Sequence, residues 1–246
     1  MQAVLYVGHG TRLQKGVEEA NAFLKETQRH VDITIQEISF LELVEPDIVE
    51  GVTKCVERGA TKVAIVPILL LSAQHAKEDI PREIEKAQRL YPNERFTVGK
   101  PFGIHEALIE TVYERIVEQQ VPIQEGAQVL LIGRGSSDPD VERAMSEISK
   151  QLKQRYGFSN VCACFLYGKG PSFEKTLIEL KQSNTRQLFL VPYLLFPGLL
   201  SVGIEKQVKA SGFDESKIIL CNSLGYNDKV RSVLLERVNE VQKEGL

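Results

Sequence analysis

One displacement organises this chain. A shift of 125 residues carries Gly8-His9-Gly10 onto Gly133-Arg134-Gly135, Phe40-Leu41 onto Phe165-Leu166, Val66-Pro67 onto Val191-Pro192 and Leu69-Leu70 onto Leu194-Leu195. Towards the end the shift becomes 122, placing Glu114-Arg115 on Glu236-Arg237. One offset matching a glycine loop and two strand-like runs marks an internal duplication. The period is far above the roughly 20–50 residues of solenoid repeats, so each copy reads as a domain. The 246 residues then divide into 1–122 and 123–246, with Val121-Pro122-Ile123-Gln124-Glu125-Gly126 as the linker. Such a chain is long enough to bury a substantial core.

Within the first copy, residues 3–8 read as a strand and Gly16 to Gln28 as an amphipathic helix, with Val17, Ala20, Phe23 and Leu24 on one stripe. A strand is expected at 33–41, then a helix with Pro46 in its first turn and Gly59 at its close. Lys62 to Leu71 is a near-continuous apolar run, as suits a parallel strand covered on both faces. A charged helix is expected over Gln74 to Leu90, ended by Tyr91-Pro92-Asn93, then a strand at 96–99 and a helix at 105–119. This alternation predicts the α/β class: two similar doubly wound domains, each built on a parallel sheet.

The composition narrows the function. Net charge is -3, and the Lys and Arg residues are spread among Asp and Glu, which argues against a nucleic-acid partner. No run approaches 18 apolar residues, so no membrane span is expected, and the N-terminus enters a strand with no basic leader. A cytoplasmic protein is expected, and a monomer, because the duplication already makes an internal pseudo-dimer. Cys55, Cys162, Cys164 and Cys221 are too few and scattered for a disulfide scaffold and read as buried, inert thiols.

The repeat also serves as an internal control. Positions that the fold needs should survive in both copies; positions that one site needs can survive in one. His9 corresponds to Arg134, Glu42 to Tyr167 and His75 to Leu200. Both histidines and the acid are missing from the second copy while the apolar frame around them persists, which assigns the site to the first domain. In a parallel α/β sheet, ligands bind beyond the carboxyl ends of the strands. His9, Glu42 and His75 follow three successive strands, so they can converge on one crevice. Two imidazoles and a carboxylate suit a divalent metal such as Fe(II), Co(II) or Zn(II), and the same trio suits acid–base chemistry. Simpler roles stand beside these: His9 filling a tight turn, His75 opening a helix, and Glu45 as available as Glu42. His30 and His105 read as surface or helix-start residues. The Gly8-His9-Gly10-Thr11 loop matches neither the dinucleotide nor the Walker pattern. Arg12, Lys77 and Arg134 are expected near the mouth of the crevice, where they can receive carboxylates.

Leu-Tyr-Val-Gly-His-Gly-Thr-Arg at 5–12, Ile-Ser-Phe-Leu-Glu-Leu at 38–43 and Val-Pro-Ile-Leu-Leu-Leu-Ser-Ala-Gln-His-Ala-Lys-Glu-Asp-Ile-Pro at 66–81 resemble the class II tetrapyrrole chelatases, in particular the two-domain sirohydrochlorin chelatases. The resemblance spans essentially the whole chain. It implies ATP-independent insertion of Fe(II) or Co(II) into sirohydrochlorin, with no organic cofactor. It also implies that His9 and His75 bind the metal while Glu42 helps to hold it or takes a pyrrole proton. Some cobalt-inserting relatives carry a histidine-rich segment and a cysteine cluster near the C-terminus. This chain ends Val-Asn-Glu-Val-Gln-Lys-Glu-Gly-Leu, with neither, which tilts the expectation to iron.

Two rivals are weaker. A histidine phosphatase would need Arg before His9, where this chain has Gly8. A two-domain carrier of a metal or other ligand, without chemistry, would hold its metal tightly and not turn over a tetrapyrrole.

Overall fold

The computed structural model describes residues 1–183, 185–195, 199–214 and 216–244, and the chain gathers into two compact units. Unit 1 is Met1–Gly103 with Asp228–Leu246, and unit 2 is Ile104–Asn227.

In unit 1 the order is β1 (Gln2–Gly8), α1 (Gln14–Gln28), β2 (Ile35–Phe40), α2 (Ile48–Glu57), β3 (Lys62–Pro67), a π-helical turn at His75–Asp79, α3 (Ile80–Leu90) and β4 (Arg95–Val98). The strands form one parallel sheet in the order β2-β1-β3-β4. Helices on both faces explain the unbroken apolar character of the central strands: Ala3 to Val7 are all buried. Side chains alternate between the faces. Ala3, Leu5 and Val7 join a core with Ile48, Val52 and Cys55 of α2 and with Ile80 and Ala87 of α3. Helix α2 starts at a capping box in which Asp47 accepts from the Glu50 N–H and Glu50 accepts from the Asp47 N–H. Pro46 therefore precedes the cap and is not in the first turn as expected. Gly51 lets α2 lie close on the sheet, since a Cβ there would stand 2.7 Å from Leu5 Cδ1.

The strand expected over Lys62–Leu71 ends at Pro67. The rest of the apolar run is a loop that stays close to the core, with Ile68 and Leu69 buried. Its backbone is satisfied across the sheet end: the Ile68 N–H donates to Val7 O at 2.8 Å, and the Phe102 N–H donates to Leu69 O at 2.9 Å.

Unit 2 contains α4 (Glu106–Val117), β5 (Gln128–Gly133), α5 (Pro139–Tyr156), β6 (Asn160–Phe165), α6 (Phe173–Gln182), β7 (Leu188–Pro192), α7 (Leu199–Ala210) and β8 (Ile218–Leu220). Its sheet is also parallel, in the order β6-β5-β7-β8, the same topology as unit 1. The final helix, α8 (Asp228–Glu244), belongs to unit 1.

The units therefore do not follow the repeats, and the division expected at 122/123, with a linker at 121–126, is not where the folded chain divides. The helix closing each repeat completes the other repeat's sheet: α4 lies on β7 and α5, and α8 lies on β3 and β4. Matching arginines fasten them. Arg115 donates from Nε and Nη2 to Leu224 O at 3.1 and 2.8 Å. Arg237 donates to Pro101 O at 3.2 Å and to Phe102 O at 2.9 Å. Two helices of like sequence are interchangeable as covers for two like sheets, so a repeat does not reveal which helix covers which sheet. No helix among the described residues is long and apolar enough to cross a membrane.

Candidate metal centre

Three chain segments at the carboxyl end of the unit 1 sheet carry His9, Glu42 and His75. The ladder between β1 and β2 continues past both strands, with the Leu41 N–H donating to Gly8 O at 2.9 Å and the Glu42 N–H to His9 O at 3.2 Å. This pins His9 beside Glu42. Gly10, at φ +90°, passes so close to the second loop that a Cβ would lie 1.9 Å from Glu42 O, so no other residue fits without moving the backbone. Leu43, next to Glu42, has φ +69°, a left-handed conformation that costs a non-glycine residue on the order of 1 kcal/mol. The third segment is the loop after β3, which leads into the π turn and places His75 at its start.

The structure brings His9, Glu42 and His75 together, with one potential ligand atom from each lying within 4.8 Å of the others. The two imidazoles meet edge to face, with centroids 4.7 Å apart and planes at 81°. His9 Nδ1 is 3.5 Å from Glu42 Oε1, beyond a good hydrogen bond. The histidine side chains are 21% and 26% exposed and the Glu42 side chain 45%, which lets an ion reach them from solvent. Metal–nitrogen bonds of about 2.1 Å would require ligand atoms roughly 3.4 Å apart in a tetrahedron, so a bound ion would draw the group inward.

The other expected site residues are placed differently. Arg12 and Lys77 are exposed, on the same segments as His9 and His75. Arg134 is exposed in unit 2, in the loop equivalent to that of His9. Glu45 is not part of the triad. His30 is a surface residue 3.7 Å from Glu26, and His105 caps α4, its Nδ1 accepting from the Ala107 N–H at 3.1 Å.

The family model CbiX matches the chain twice, over residues 3–119 and 128–241. The sirohydrochlorin ferrochelatase of Bacillus subtilis strain 168 is 44% identical over 239 residues, covering 97% of this chain and 91% of that protein. The sirohydrochlorin cobaltochelatase of Priestia megaterium is 31% identical over 98% of this chain and 80% of its own. Among solved structures, that of SirB from Bacillus subtilis with Fe3+ superposes with a TM-score of 0.91 at 43% identity, covering 99% of this chain and 97% of the other.

The chain belongs to the CbiX family. The two matched segments are the two repeats, and only the first carries the His, Glu, His set that the structure assembles. In this CbiX chain one further residue touches the group. Asp79 Oδ2 lies 2.8 Å from His75 Nδ1, and Asp79 Oδ1 accepts from Arg82 Nη2 at 2.8 Å. Sequence reading passes over Asp79, although a spacing of four from His75 within a helix was a usable signal.

Proposed function

We propose that the chain is a sirohydrochlorin chelatase that inserts Fe(II) into the macrocycle without ATP, releasing two protons and giving sirohaem. The observation that carries this reading is the convergence of His9, Glu42 and His75 at three strand ends of unit 1. The CbiX relatives supply the substrate class. The metal ion is a substrate here: His9 and His75 take it from water through neutral imidazole nitrogens, and Glu42 contributes a carboxylate. The pyrrole N–H protons must leave as the ion enters, so a base within reach is required. Glu42 fits that role because its carboxylate is half exposed and not committed to His9. A tetrapyrrole bearing many carboxylates would be received by Arg12 and Lys77, with the Arg12 guanidinium binding in bidentate fashion. We read the protein as cytoplasmic and monomeric, with no nucleic-acid or membrane partner, and residues 1–122 and 123–246 as the duplicated segments.

Iron is favoured over cobalt because the ferrochelatase relative is the more similar of the two, at 44% against 31%. Fe(II) and Co(II) have close ligand preferences, so Co(II) should also be inserted, more slowly. The test is anaerobic mixing of the purified chain with sirohydrochlorin and either ion, followed by absorbance. Insertion well above the uncatalysed rate, faster with Fe(II), is expected. No acceleration with either ion would sink the chelatase reading and leave the carrier.

A further inference from the structure

In an α-helix the N–H of residue i+4 bonds to the carbonyl of residue i. At His75 the bond closes one residue later, from the Ile80 N–H to His75 O. Such a π turn amounts to one residue inserted in an α-helix and often marks a functional site. The second repeat shows the insertion directly. His75 matches Leu200 at an offset of 125, but the next core positions, Ile80 and Ile84, match Ile204 and Val208 at an offset of 124. Ile80 and Ile84 pack in the core of unit 1 just as Ile204 and Val208 pack in that of unit 2. In α7, which is α-helical throughout, the fourth residue after Leu200 is therefore a core isoleucine. In unit 1 the extra residue hands the core position to the fifth residue, Ile80. The fourth, Asp79, is released to meet the His75 ring.

We propose that Asp79 is the positioning residue for His75. Its Oδ2 accepts the Nδ1 proton, which holds the imidazole in one tautomer and presents the Nε2 lone pair to the incoming metal ion. Arg82, on the other carboxylate oxygen, fixes the plane of the acid. The two carboxylates near the histidines thus divide the work. Asp79, at 2.8 Å, is committed to its imidazole, and Glu42, at 3.5 Å, is left for the ion or a proton. The proposal rests on the reading of His75 as a metal ligand.

The test uses the full chain with Asp79→Ala, Asp79→Asn and His75→Ala, and with Glu78→Gln as a control in the same turn. Imidazole nitrogen-15 shifts of the metal-free protein report the His75 tautomer, and visible-absorbance titration reports Co(II) affinity. Wild type should show the Nδ1–H form. Asp79→Ala should lose that preference and weaken Co(II) binding about 10–100-fold. Asp79→Asn keeps the shape and an acceptor oxygen but no charge, so it should fall between the two even if the alanine variant folds poorly. Glu78→Gln should match wild type. A wild-type tautomer with affinity within about twofold in both Asp79 variants would overturn the proposal, as would an equal loss in Glu78→Gln. If His75→Ala binds Co(II) as tightly as wild type, the ligand reading itself fails, a result distinguishable from failure of the Asp79 role alone.

Discussion

The loops that follow β1 and β5 are the same piece of backbone carrying different chemistry. Each strand end continues its ladder by two bonds, through Leu41 and Glu42 in unit 1 and through Leu166 and Tyr167 in unit 2. Each loop turns at a glycine with positive φ, +90° at Gly10 and +97° at Gly135, pressed against a carbonyl of the neighbouring loop. The side chains on this shared frame are His9, Glu42 and His75 in one unit and Arg134, Tyr167 and Leu200 in the other. Tyr167 is 65% exposed, so its side chain lies largely in solvent. The crossing of two loops over a sheet end is thus a demand of the fold, and the His, Glu, His group is an addition made on one copy of it.

The sharpest break of that comparison is removal of the proposed ligands. His9→Ala and His75→Ala should each weaken Co(II) binding by more than the roughly 100-fold an outer partner is worth, with insertion lost in parallel. Tyr167→Phe and Leu200→Ala should leave Co(II) affinity within about twofold. Arg12→Ala should raise KM for the tetrapyrrole while sparing metal affinity. Equal effects of the His75 and Leu200 changes in titration would mean that unit 2 also binds the ion.

A second comparison separates frame from chemistry. Gly10→Ala and Gly135→Ala meet carbonyls at 1.9 and 1.8 Å and demand left-handed backbone, so each should cost on the order of 3 kcal/mol in denaturant unfolding. Only Gly10→Ala should disturb metal uptake, because only it displaces Glu42. Next come the arginines that fasten the exchanged helices. Arg115→Ala and Arg237→Ala each strip hydrogen bonds from partly buried carbonyls and should cost about 2 kcal/mol. Markedly unequal losses would show that the two helices are not equivalent covers.

The smallest effect lies in the thiols, all raised by burial, with Cys55 in unit 1 and Cys162, Cys164 and Cys221 in unit 2. Burial pushes the Cys55 and Cys221 thiols from 9.0 up to about 12, one in each unit. A thiol raised in the folded state is neutral in both states below pH 9. Above that, the unfolded chain ionises first, so stability falls until the pH passes 12. Each cysteine should therefore cost about 1 kcal/mol between pH 8 and pH 10, read from denaturant midpoints. A Cys55→Ala or Cys221→Ala variant should reduce the slope by one share.

Much of this could be read from residues. The apolar runs at Val4-Leu5-Tyr6-Val7 and Val63-Ala64-Ile65-Val66 announced central parallel strands, and the missing counterparts of His9, Glu42 and His75 picked out the three side chains that unit 1 gathers. Three features were harder to see. The run to Leu71 hid the end of β3 at Pro67, because a loop lying against the core is as apolar as a strand. The helix exchange left no trace, because Leu108, Val112 and Arg115 suit either sheet. The π turn showed only as the offset slipping from 125 to 124 across five residues, a change that needs Ile80 and Ile204 to be known as core positions.

The exchange of α4 and α8 also sets an order of manufacture. Unit 2 is one unbroken segment, Ile104–Asn227, whereas unit 1 is interrupted by the whole of it. As the chain leaves the ribosome, the strands bearing His9, Glu42 and His75 emerge first and wait, β3 and β4 lacking their helix, while unit 2 is made and can close on itself. Only when α8 follows is that face covered. The half of the molecule that gathers His9, Glu42 and His75 is begun first and finished last.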